Sequence, residues 1–248
     1  ARAAALAAGY SPERDAKRWR AAVARELAPR MEAKARDTGK PIDMVETFSA
    51  ELPLFTLCEI LGVAEADRPK LIKWMHYLEV SADTMRKGEA IDPQFFGDFV
   101  NNVLEMFEYG KHVLHDRRKN PKSDLLSAIA NAKVDGELLS DEMLDGSWLL
   151  IVFAGNDTTR NSLSGTMKLL SEFPEQKQAL IKDPTKITNM VHEAIRMVSP
   201  VIYMRRTATE NAEINGQKIA EGEKVIMYCG AANRDPAVFA EPDRFDVD

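Results

Sequence analysis

Cysteine is scarce in this chain of 248 residues, and so are long apolar runs and excess positive charge. The two cysteines, Cys58 and Cys229, are far apart in apolar surroundings, which leaves a disulfide possible but favours free thiols in a reducing cytoplasm. The longest apolar run, 148–154, is far too short to cross a bilayer, which takes about 20 residues. With 33 Lys and Arg against 39 Asp and Glu, the net charge of −6 disfavours a nucleic-acid partner.

The two ends of the sequence also lack expected features. The opening ARAAALAAGY has no clear cleavage site and continues into a charged segment, so it does not resemble a secretory leader. The sequence begins in mid-pattern without an initiator Met and stops at FDVD without a closing element. We therefore expect an internal piece of a longer protein.

Helical periodicity is what the sequence does have, from its start to about residue 198. The predicted helices cover 11–38, 42–61, 66–84, 93–119, 122–132, 140–173, a segment after Pro174, and 185–198. Gly62 is the predicted C-cap of the second helix, and Asp135 and Gly136 centre a turn or small hairpin at 133–139. These patterns predict a helix-rich domain.

The pattern changes after residue 200. Alternating residues predict short strands, with turns at 215–216 and 221–222. The tail 232–248 is rich in Pro and Asp and predicts irregular coil around a brief helix. A small β region therefore follows the helices.

The stretch 151–160, IVFAGNDTTR, interrupts the most apolar part of the longest predicted helix. Ser140 is the predicted N-cap of this helix, and the run WLLIVFAG predicts burial on every side. The polar residues could mark a kink on a solvated face. Four of them together, however, need partners or a task, because burying an unpaired carboxylate or hydroxyl costs several kcal/mol.

The residue types in this stretch suggest such a task. Thr158 can bond the carbonyl of Ala154 and loosen the helical turn, and Gly155 lets a flat ligand approach. Asp157 can exchange protons with water. The sequence therefore predicts a groove that delivers protons to a ligand bound against the helix.

The string AGNDTT resembles the oxygen-activating motif A/G-G-x-D/E-T-T on the central helix of cytochromes P450. A second string, HEAIRM at 192–197, begins like a zinc-protease motif, but Arg196 stands where the second histidine is needed. Glu193 and Arg196 could form an ordinary surface pair at i, i+3. They also match the ExxR motif of cytochromes P450, at about the family's distance after AGxDTT.

Two later segments extend the resemblance. EPDRFD at 241–246 resembles the PERF segment of this family; alone it could be a surface turn, but it follows ANRDP, another string frequent in P450s. On this resemblance Arg244 joins Glu193 and Arg196 in a buried triad. RRTATENAEING resembles the strand that reaches the haem, where Arg206 fits the residue that binds a propionate and Arg205 is the alternative.

The order of these motifs carries the resemblance over essentially all 248 residues. It implies a mainly α fold, here a partial P450 fold, with a long central helix and a small β region near the C-terminal end. It also implies one partial domain, 1–248, with a helical part at 1–198 and a β region and the start of the meander at 199–248. GNDTTRNSLSG with MRRTA is most similar to bacterial P450s that hydroxylate alkanes, terpenes or sterol side chains.

The resemblance implies haem b against Ala154 and Gly155, held by Arg206, with Asp157 and Thr158 delivering protons during dioxygen activation. It further implies a ferredoxin-type electron donor with an NAD(P)H-dependent reductase, dioxygen and an apolar small-molecule substrate. A cytoplasmic location is expected, with neither a membrane span nor a nucleic-acid partner.

The sequence departs from the family at the iron ligand, a Cys in a Phe-x-x-Gly loop that follows PERF. Cys58 lies in an early helix and Cys229 in a predicted strand, so neither matches it and no metal ligand is assigned; we expect the ligand beyond Asp248. The expected function is therefore a fragment of a haem-thiolate monooxygenase that hydroxylates a hydrophobic small molecule, inactive alone. The alternative is a non-catalytic P450-like helical domain that binds a lipid or a protein partner.

Three further groups are interpreted without catalytic roles. His112 and His115 share a helix face, but no carboxylate pattern completes a metal site, which favours a solvated surface. The run 117–119 is interpreted as a solvated helix end. Three methionines at helical spacing are expected in the core or in the roof of a substrate pocket: Met75, Met85 and Met106.

Overall fold

The computed structural model describes residues 27–88 and 90–248, without the side chain of Arg86. The protein is mainly α-helical. The described α-helices are α1 Ala28–Thr38, α2 Glu51–Leu61, α3 Arg68–Lys87, α4 Pro93–Lys119, α5 Leu125–Ala130, α6 Asp141–Glu172, α7 Pro174–Lys182, α8 Ile187–Val198 and α9 Cys229–Ala232. A π-helical turn, Val45–Ser49, precedes α2, and 3-10 turns, Glu65–Asp67 and Pro184–Lys186, precede α3 and α8.

These bounds confirm most of the helices that periodicity predicts. Helix α4 has the predicted bounds, and α6 lies within one residue of the prediction at each end. The first 16 residues of the predicted helix 11–38 lie outside the described residues. Cys229 begins α9 rather than lying in a strand, because the extended chain turns immediately after Tyr228.

The short strands form three antiparallel pairs. They are β1 Lys133–Val134 with β2 Glu137–Leu138, β3 Tyr203–Thr207 with β6 Lys224–Tyr228, and β4 Ala212–Ile214 with β5 Gln217–Ile219. Asp135 and Gly136 connect the first pair with φ of 53° and 87°, and Asn215 and Gly216 connect the third with φ of 50° and 81°. Two consecutive positive φ values are what a tight two-residue hairpin turn requires, so both predicted turns are confirmed.

The chain divides into two compact units, one ending at Asp157 and the other covering Thr158–Asp248. The core of the first unit comes from helices α2 to α6. Its fully buried large side chains include Leu61, Leu71, Trp74, Met106, Leu114, Leu126, Leu144, Trp148 and Val152. The second unit has a smaller core of Leu169, Ala194, Met197, Phe245 and Val247.

The basic end of α4 differs from the expected solvated end. Arg117 is buried, its Nε donates to Asp124 Oδ2 at 2.7 Å, and its second terminal nitrogen donates to the Gly62 carbonyl at 3.1 Å. Arg118 is half-buried and donates through Nε to the Ala130 carbonyl at 2.8 Å. A charge run at a helix end is thus partly buried here, because carbonyls and a carboxylate from neighbouring segments satisfy the guanidinium groups.

Two of the three methionines lie in the core, as expected. Met75 and Met106 are 3 % and 0 % exposed, whereas Met85 is 61 % exposed on the surface of α3. His115 Nε2 lies 3.0 Å from Asp141 Oδ1, so this histidine contacts the first turn of α6. Within residues 27–88 and 90–248, no helix has the length and apolar content that a membrane crossing requires.

Helices α4 and α6 approach closely where Gly110 faces Trp148. A Cβ built on Gly110 would lie 2.4 Å from Trp148 Cδ1, and the indole is held in place because its Nε1 donates to the Met106 carbonyl at 3.0 Å. We expect Gly110→Ala to lower the free energy of unfolding by about 1–3 kcal/mol, the usual cost of overpacking a core. Urea titration followed by far-UV circular dichroism measures this.

Gly97→Ala is the matched control, because Gly97 lies on the same helix and its Cβ would meet nothing within 4 Å. There the loss of glycine's backbone freedom should raise stability by about 0.5–1 kcal/mol. Equal effects of the two substitutions would contradict the close approach of the helices at Gly110.

Candidate active site

Helix α6 carries the AGNDTT motif and buries one stripe of its surface. Leu144, Trp148, Val152 and Asn156 recur every four residues and are 0–4 % exposed. The opposite face exposes apolar side chains, Leu150 at 65 % and Phe153 at 40 %. The expectation of burial on every side is therefore wrong for this face, because an apolar pattern shows that a helix tolerates burial and not that something covers it.

The motif residues lie on different parts of the α6 surface. Ala154 is exposed and shares the apolar face with Leu150, four residues earlier. Asp157 and Thr158 follow and are half-buried. The helix is continuous from Asp141 to Glu172, so the loosened turn expected at Thr158 does not interrupt it.

Gly155 is exposed, and on one side it lies close to a neighbouring side chain. A Cβ built on it would lie 3.2 Å from Leu57 Cδ1 of α2, tighter than ordinary van der Waals contact. The missing side chain therefore lets α2 pack closely on the motif. Ala154 and Gly155 are both exposed, and the approach of a flat ligand to them remains a prediction.

A cleft in the second unit includes the threonine side of the motif. It has a volume of about 390 Å³ and apolar walls, within the size range of ligand pockets. Its lining comprises Thr158, Thr159, Ser162, Leu163 and Thr166 of α6, Met190, Val191 and Ile195 of α8, and Pro200. A hydroxyl-bearing edge on an apolar cleft suits an apolar ligand near a proton source.

Glu193 and Arg196 form a bidentate ion pair on α8. Arg196 Nε donates to Glu193 Oε2 at 2.7 Å, and a terminal nitrogen donates to Oε1 at 2.8 Å. The Asp246 backbone N–H donates to the same Oε1 at 3.1 Å. Although burial raises the pKa of Glu193, the hydrogen bonds from Arg196 and Asp246 and the Arg196 charge bring it below its ordinary value of 4.5.

Arg196 also binds three backbone carbonyls of the C-terminal segment. Its two terminal nitrogens donate to Asn233 O at 2.8 Å, Pro242 O at 2.7 Å and Arg244 O at 2.9 Å. Its Cζ lies 4.8 Å from the centroid of the Phe239 ring. The guanidinium thus uses all five of its N–H donors and ties the ANRDP and PDRF strings to α8.

Arg244 differs from the triad expectation, because it is the carbonyl of this residue that binds Arg196. Its guanidinium is about half exposed and pairs with Glu241 Oε2 at 2.7 Å and with Asp246 Oδ2 at 3.6 Å. Glu241 precedes it by three residues, so this local carboxylate captures the side chain on the outer surface. Motif matching locates the segment correctly but not the atom that makes the contact.

Arg205 and Arg206 lie on β3, whose residues are all exposed. Among the described residues, the Arg206 guanidinium makes one hydrogen bond, from a terminal nitrogen to the Arg205 carbonyl at 3.0 Å. Its positive charge is therefore available to an anionic group, and the exposed apolar side chains of Tyr203 and Met204 precede it on the strand.

Sequence reasoning missed the polar contacts that close the end of α8. Ser199 has φ of 45°, a value uncommon outside glycine. Its hydroxyl donates to Arg196 O at 2.9 Å and accepts from Asn233 Nδ2 at 2.9 Å, and Arg234 donates to Met197 O at 2.8 Å. The ANRDP string was recognised from the sequence, but its role as a clamp on a helix end needs the three-dimensional contacts.

Cys58 is not suited to bind a metal as a thiolate. Both cysteines are free thiols, and Cys58 is fully buried in the core. Burial raises its pKa to about 11, although the nearby Arg68 opposes this. Among the described residues, no group of three or more His, Cys, Asp or Glu side chains could hold a metal ion.

Comparison with known proteins identifies the family. The cytochrome P450 family model matches residues 8–248. The chain is 38% identical over 210 residues to linalool 8-monooxygenase of Pseudomonas putida, covering 84% of this chain and 50% of that one. It is 33% identical over 248 residues to a methyl-branched lipid omega-hydroxylase of Mycobacterium tuberculosis, covering 93% of this chain and 56% of that one.

The chain belongs to the cytochrome P450 family. A Mycobacterium marinum P450 in complex with pseudoionone has a similar structure, with a TM-score of 0.79, 32% identity and coverage of 98% of this chain and 58% of that one. A Bacillus megaterium P450 in complex with testosterone is also similar, with a TM-score of 0.79 and 26% identity. That match covers 99% of this chain and 64% of the other. The chain spans about half the length of the curated relatives that it matches.

Family membership confirms the partial P450 fold and implies haem b as the cofactor. A porphyrin has a flat apolar surface with charged edges, and α6 exposes an apolar face of its own. Ala154 on that face and Arg206 on β3 are chemically suited to a porphyrin face and a propionate, respectively.

The depressed pKa of Glu193 makes stability depend on pH. Because the folded-state pKa lies below the ordinary value, the carboxylate stabilises the fold above about pH 4.5, and this contribution is lost as the pH falls through the lower, folded-state pKa. We expect Glu193→Gln to be less stable at neutral pH and to show a flatter decline of unfolding free energy between about pH 5 and 3. Chemical denaturation across that range measures the slope; parallel curves would contradict the assignment.

Removing the Arg196 guanidinium should leave the half-buried Glu193 and three carbonyls without their donor. We expect Arg196→Met, which keeps the stem, to lower the free energy of unfolding by about 3–5 kcal/mol. Arg244→Met is the matched control, because its guanidinium pairs on the surface, and it should leave the denaturation midpoint nearly unchanged. A comparable loss of stability in Arg244→Met would contradict the surface position of its guanidinium.

Proposed function

We propose that the chain is part of a haem-thiolate monooxygenase that activates dioxygen and hydroxylates a hydrophobic small molecule. One observation carries the proposal. An acid and a hydroxyl, Asp157 and Thr158, directly follow the exposed apolar face of α6 in a chain that belongs to the cytochrome P450 family. Proton delivery beside a flat apolar cofactor needs this combination.

The residues present fit haem on two counts. The exposed side chains of Leu150 and Phe153 and the small Ala154 offer an apolar surface against which a porphyrin face can pack. Arg206, exposed and paired among the described residues only with a carbonyl, offers a guanidinium for a propionate. Each assignment is supported by the surroundings of its own helix or strand.

Haem, when bound with a thiolate ligand, supplies the iron chemistry that splits the O–O bond. The protein contributes protons and an apolar enclosure. Asp157, half-buried at the edge of the apolar face, exchanges a proton with solvent through its carboxylate oxygens. Thr158 Oγ1 passes the proton on by donating one hydrogen bond while accepting another.

The iron ligand is proposed to lie outside the 248 residues. Cys58 is buried as a neutral thiol with a raised pKa, and Cys229 starts a short helix after β6. The aligned part covers about half of one relative's length, which leaves room for such a ligand outside it. On this proposal the chain is one partial domain and is inactive alone.

The substrate class follows from the cleft and the relatives. The cleft beside Thr158 and Thr159 is walled mainly by apolar side chains. Relatives are named for linalool, a methyl-branched lipid and a steroid. We propose an aliphatic or terpenoid substrate, a ferredoxin-type donor with an NAD(P)H-dependent reductase, and a cytoplasmic location. No observation favours the non-catalytic alternative.

The proposal is tested on the parent protein expressed from its complete gene. Reduction under carbon monoxide should give the red-shifted Soret band of a thiolate-ligated haem. Gene sequence past Asp248 that lacks a Cys in a Phe-x-x-Gly loop, or a Soret band without the thiolate shift, would refute haem-thiolate function.

The proton-delivery role is tested by Thr158→Ala in the parent protein. Loss of the hydroxyl should leave haem binding intact and divert reducing equivalents to hydrogen peroxide, lowering the ratio of product formed to NAD(P)H consumed. Ser171→Ala is the control, because its hydroxyl bonds the Met167 carbonyl on the same helix outside the motif. Unchanged coupling in Thr158→Ala would refute the assignment.

A further inference from the structure

Three aromatic side chains form a contiguous series in the core of the first unit. The ring centroids of Trp74 and Tyr109 are 5.4 Å apart, and those of Tyr109 and Trp148 are 5.8 Å apart. Both indoles are 1 % exposed. Electronic coupling falls steeply with distance, so aromatic rings in contact can exchange single electrons readily.

The three rings differ in the group that accepts their hydrogen bond: one bonds a carbonyl and two bond carboxylates. Trp148 Nε1 donates to the Met106 carbonyl, which cannot take up a proton. The Tyr109 hydroxyl donates to Asp67 Oδ2 at 3.1 Å, and Trp74 Nε1 donates to Glu105 Oε2 at 3.3 Å. Loss of an electron therefore leaves Trp148 a cation radical, whereas the other two rings can become neutral radicals by passing their protons to carboxylates.

The surroundings of Tyr109 keep its hydroxyl protonated and the Asp67 carboxylate ionised, as a proton transfer from Tyr109 to Asp67 requires. Lys70 Nζ lies 2.9 Å from Asp67 Oδ1, and this hydrogen bond together with that of Tyr109 lowers the pKa of Asp67 despite its partial burial. Burial and the Asp67 carboxylate raise the pKa of Tyr109, so its hydroxyl remains protonated. A neutral phenol beside an ionised carboxylate loses its electron and its proton together.

Trp148 places one end of the series on the helix that carries the oxygen-activating motif. It precedes Ala154 by six residues, roughly 9 Å along the helix axis. A strong one-electron oxidant formed at the haem during failed turnover would therefore arise beside α6, across the helix from the buried ring of Trp148, the first member of the series.

We propose that Trp148, Tyr109 and Trp74 form a one-electron relay that draws oxidising equivalents away from the oxygen-activating site. The inference rests on the proposed function for its oxidant, a haem species left unconsumed when no substrate is hydroxylated. Trp148 gives one electron to that oxidant. Tyr109 then gives one electron to the Trp148 cation radical and its hydroxyl proton to Asp67, leaving a neutral tyrosyl radical.

The second step transfers the radical onward. Trp74 gives one electron to the tyrosyl radical, which recovers its proton from Asp67, while the Trp74 Nε1 proton passes to Glu105. A cellular thiol such as glutathione then gives one electron to the Trp74 radical, which recovers its proton from Glu105; the thiol is left as a thiyl radical and releases its own proton to solvent. Packing alone accounts for three touching aromatic rings, but it requires neither carboxylate.

The test replaces the haem oxidant by a photochemical one, so that its outcome does not depend on haem binding. A tris(bipyridine)ruthenium label is attached to the thiol introduced by Met143→Cys, a 51 % exposed position on α6, in a Cys229→Ser background. Cys58 is fully buried and stays unlabelled. After a laser flash with a cobalt(III) quencher, transient absorption and electron paramagnetic resonance identify the radical.

Tyr109→Phe keeps the ring and should abolish the tyrosyl signal, leaving a tryptophanyl radical. Tyr77→Phe is the matched control, because Tyr77 packs against Phe95 in the same unit and lies outside the series; it should leave the signal intact. Asp67→Asn keeps a hydrogen-bond acceptor that cannot take the proton. It should slow tyrosyl formation roughly a hundredfold, the low end of a positioned base's contribution.

An undiminished tyrosyl signal in Tyr109→Phe, or unchanged kinetics in Asp67→Asn, overturns the relay. Circular dichroism of each variant checks that the fold is retained. A missing thiolate-shifted Soret band in the parent would refute the haem function while leaving the photochemical result standing, so the two failures are distinguishable.

Discussion

The second unit depends on the guanidinium of Arg196, whose N–H donors are all used in hydrogen bonds. Arg196 is 9 % exposed, and its donors serve a carboxylate on its own helix and three carbonyls of a segment 37 to 48 residues further along the chain. A buried cation is tolerated only when paired and fully hydrogen-bonded. The irregular tail, which has no strand or helix to satisfy its carbonyls, is ordered by the same contacts that make the buried charge acceptable.

The long helix meets two opposing demands along its length. Its first half packs against the core through Trp148 and Val152, while the proposed function requires its motif to hold a carboxylate and a hydroxyl where they can reach water. Both demands are met because Asp157 and Thr158 are half-buried, whereas the stripe through Trp148 and Val152 is fully buried. A half-buried carboxylate keeps part of its solvation, which the proposed proton exchange requires.

Sequence reasoning succeeded where local chemistry determines structure. The bounds of α4 and α6 follow from apolar periodicity and N-terminal caps, and both two-residue hairpin turns follow from an Asn or Asp before glycine. Motif order was sufficient for the family, because several weak strings in the right succession are together specific.

It failed where contacts between distant segments decide the outcome. Arg117 belongs to a charge run that usually faces solvent, and only the approach of Asp124 and Gly62 makes its burial favourable. The close contact between Gly155 and Leu57, almost a hundred residues earlier, likewise has no signal in the local sequence. At Arg244 the motif predicts a contact through the side chain, whereas Arg196 binds the backbone carbonyl of this residue. A sequence motif does not distinguish between these two groups.

The left-handed backbone of Ser199 has a consequence for protein engineering. Replacing a non-glycine residue at positive φ by glycine is a common way to relieve strain. Here that change would delete the hydroxyl that joins the last turn of α8 to Asn233. Relief of torsional strain and retention of these two hydrogen bonds are mutually exclusive at this position. A glycine here would therefore weaken the contact between the end of α8 and Asn233, in the segment whose carbonyls Arg196 binds.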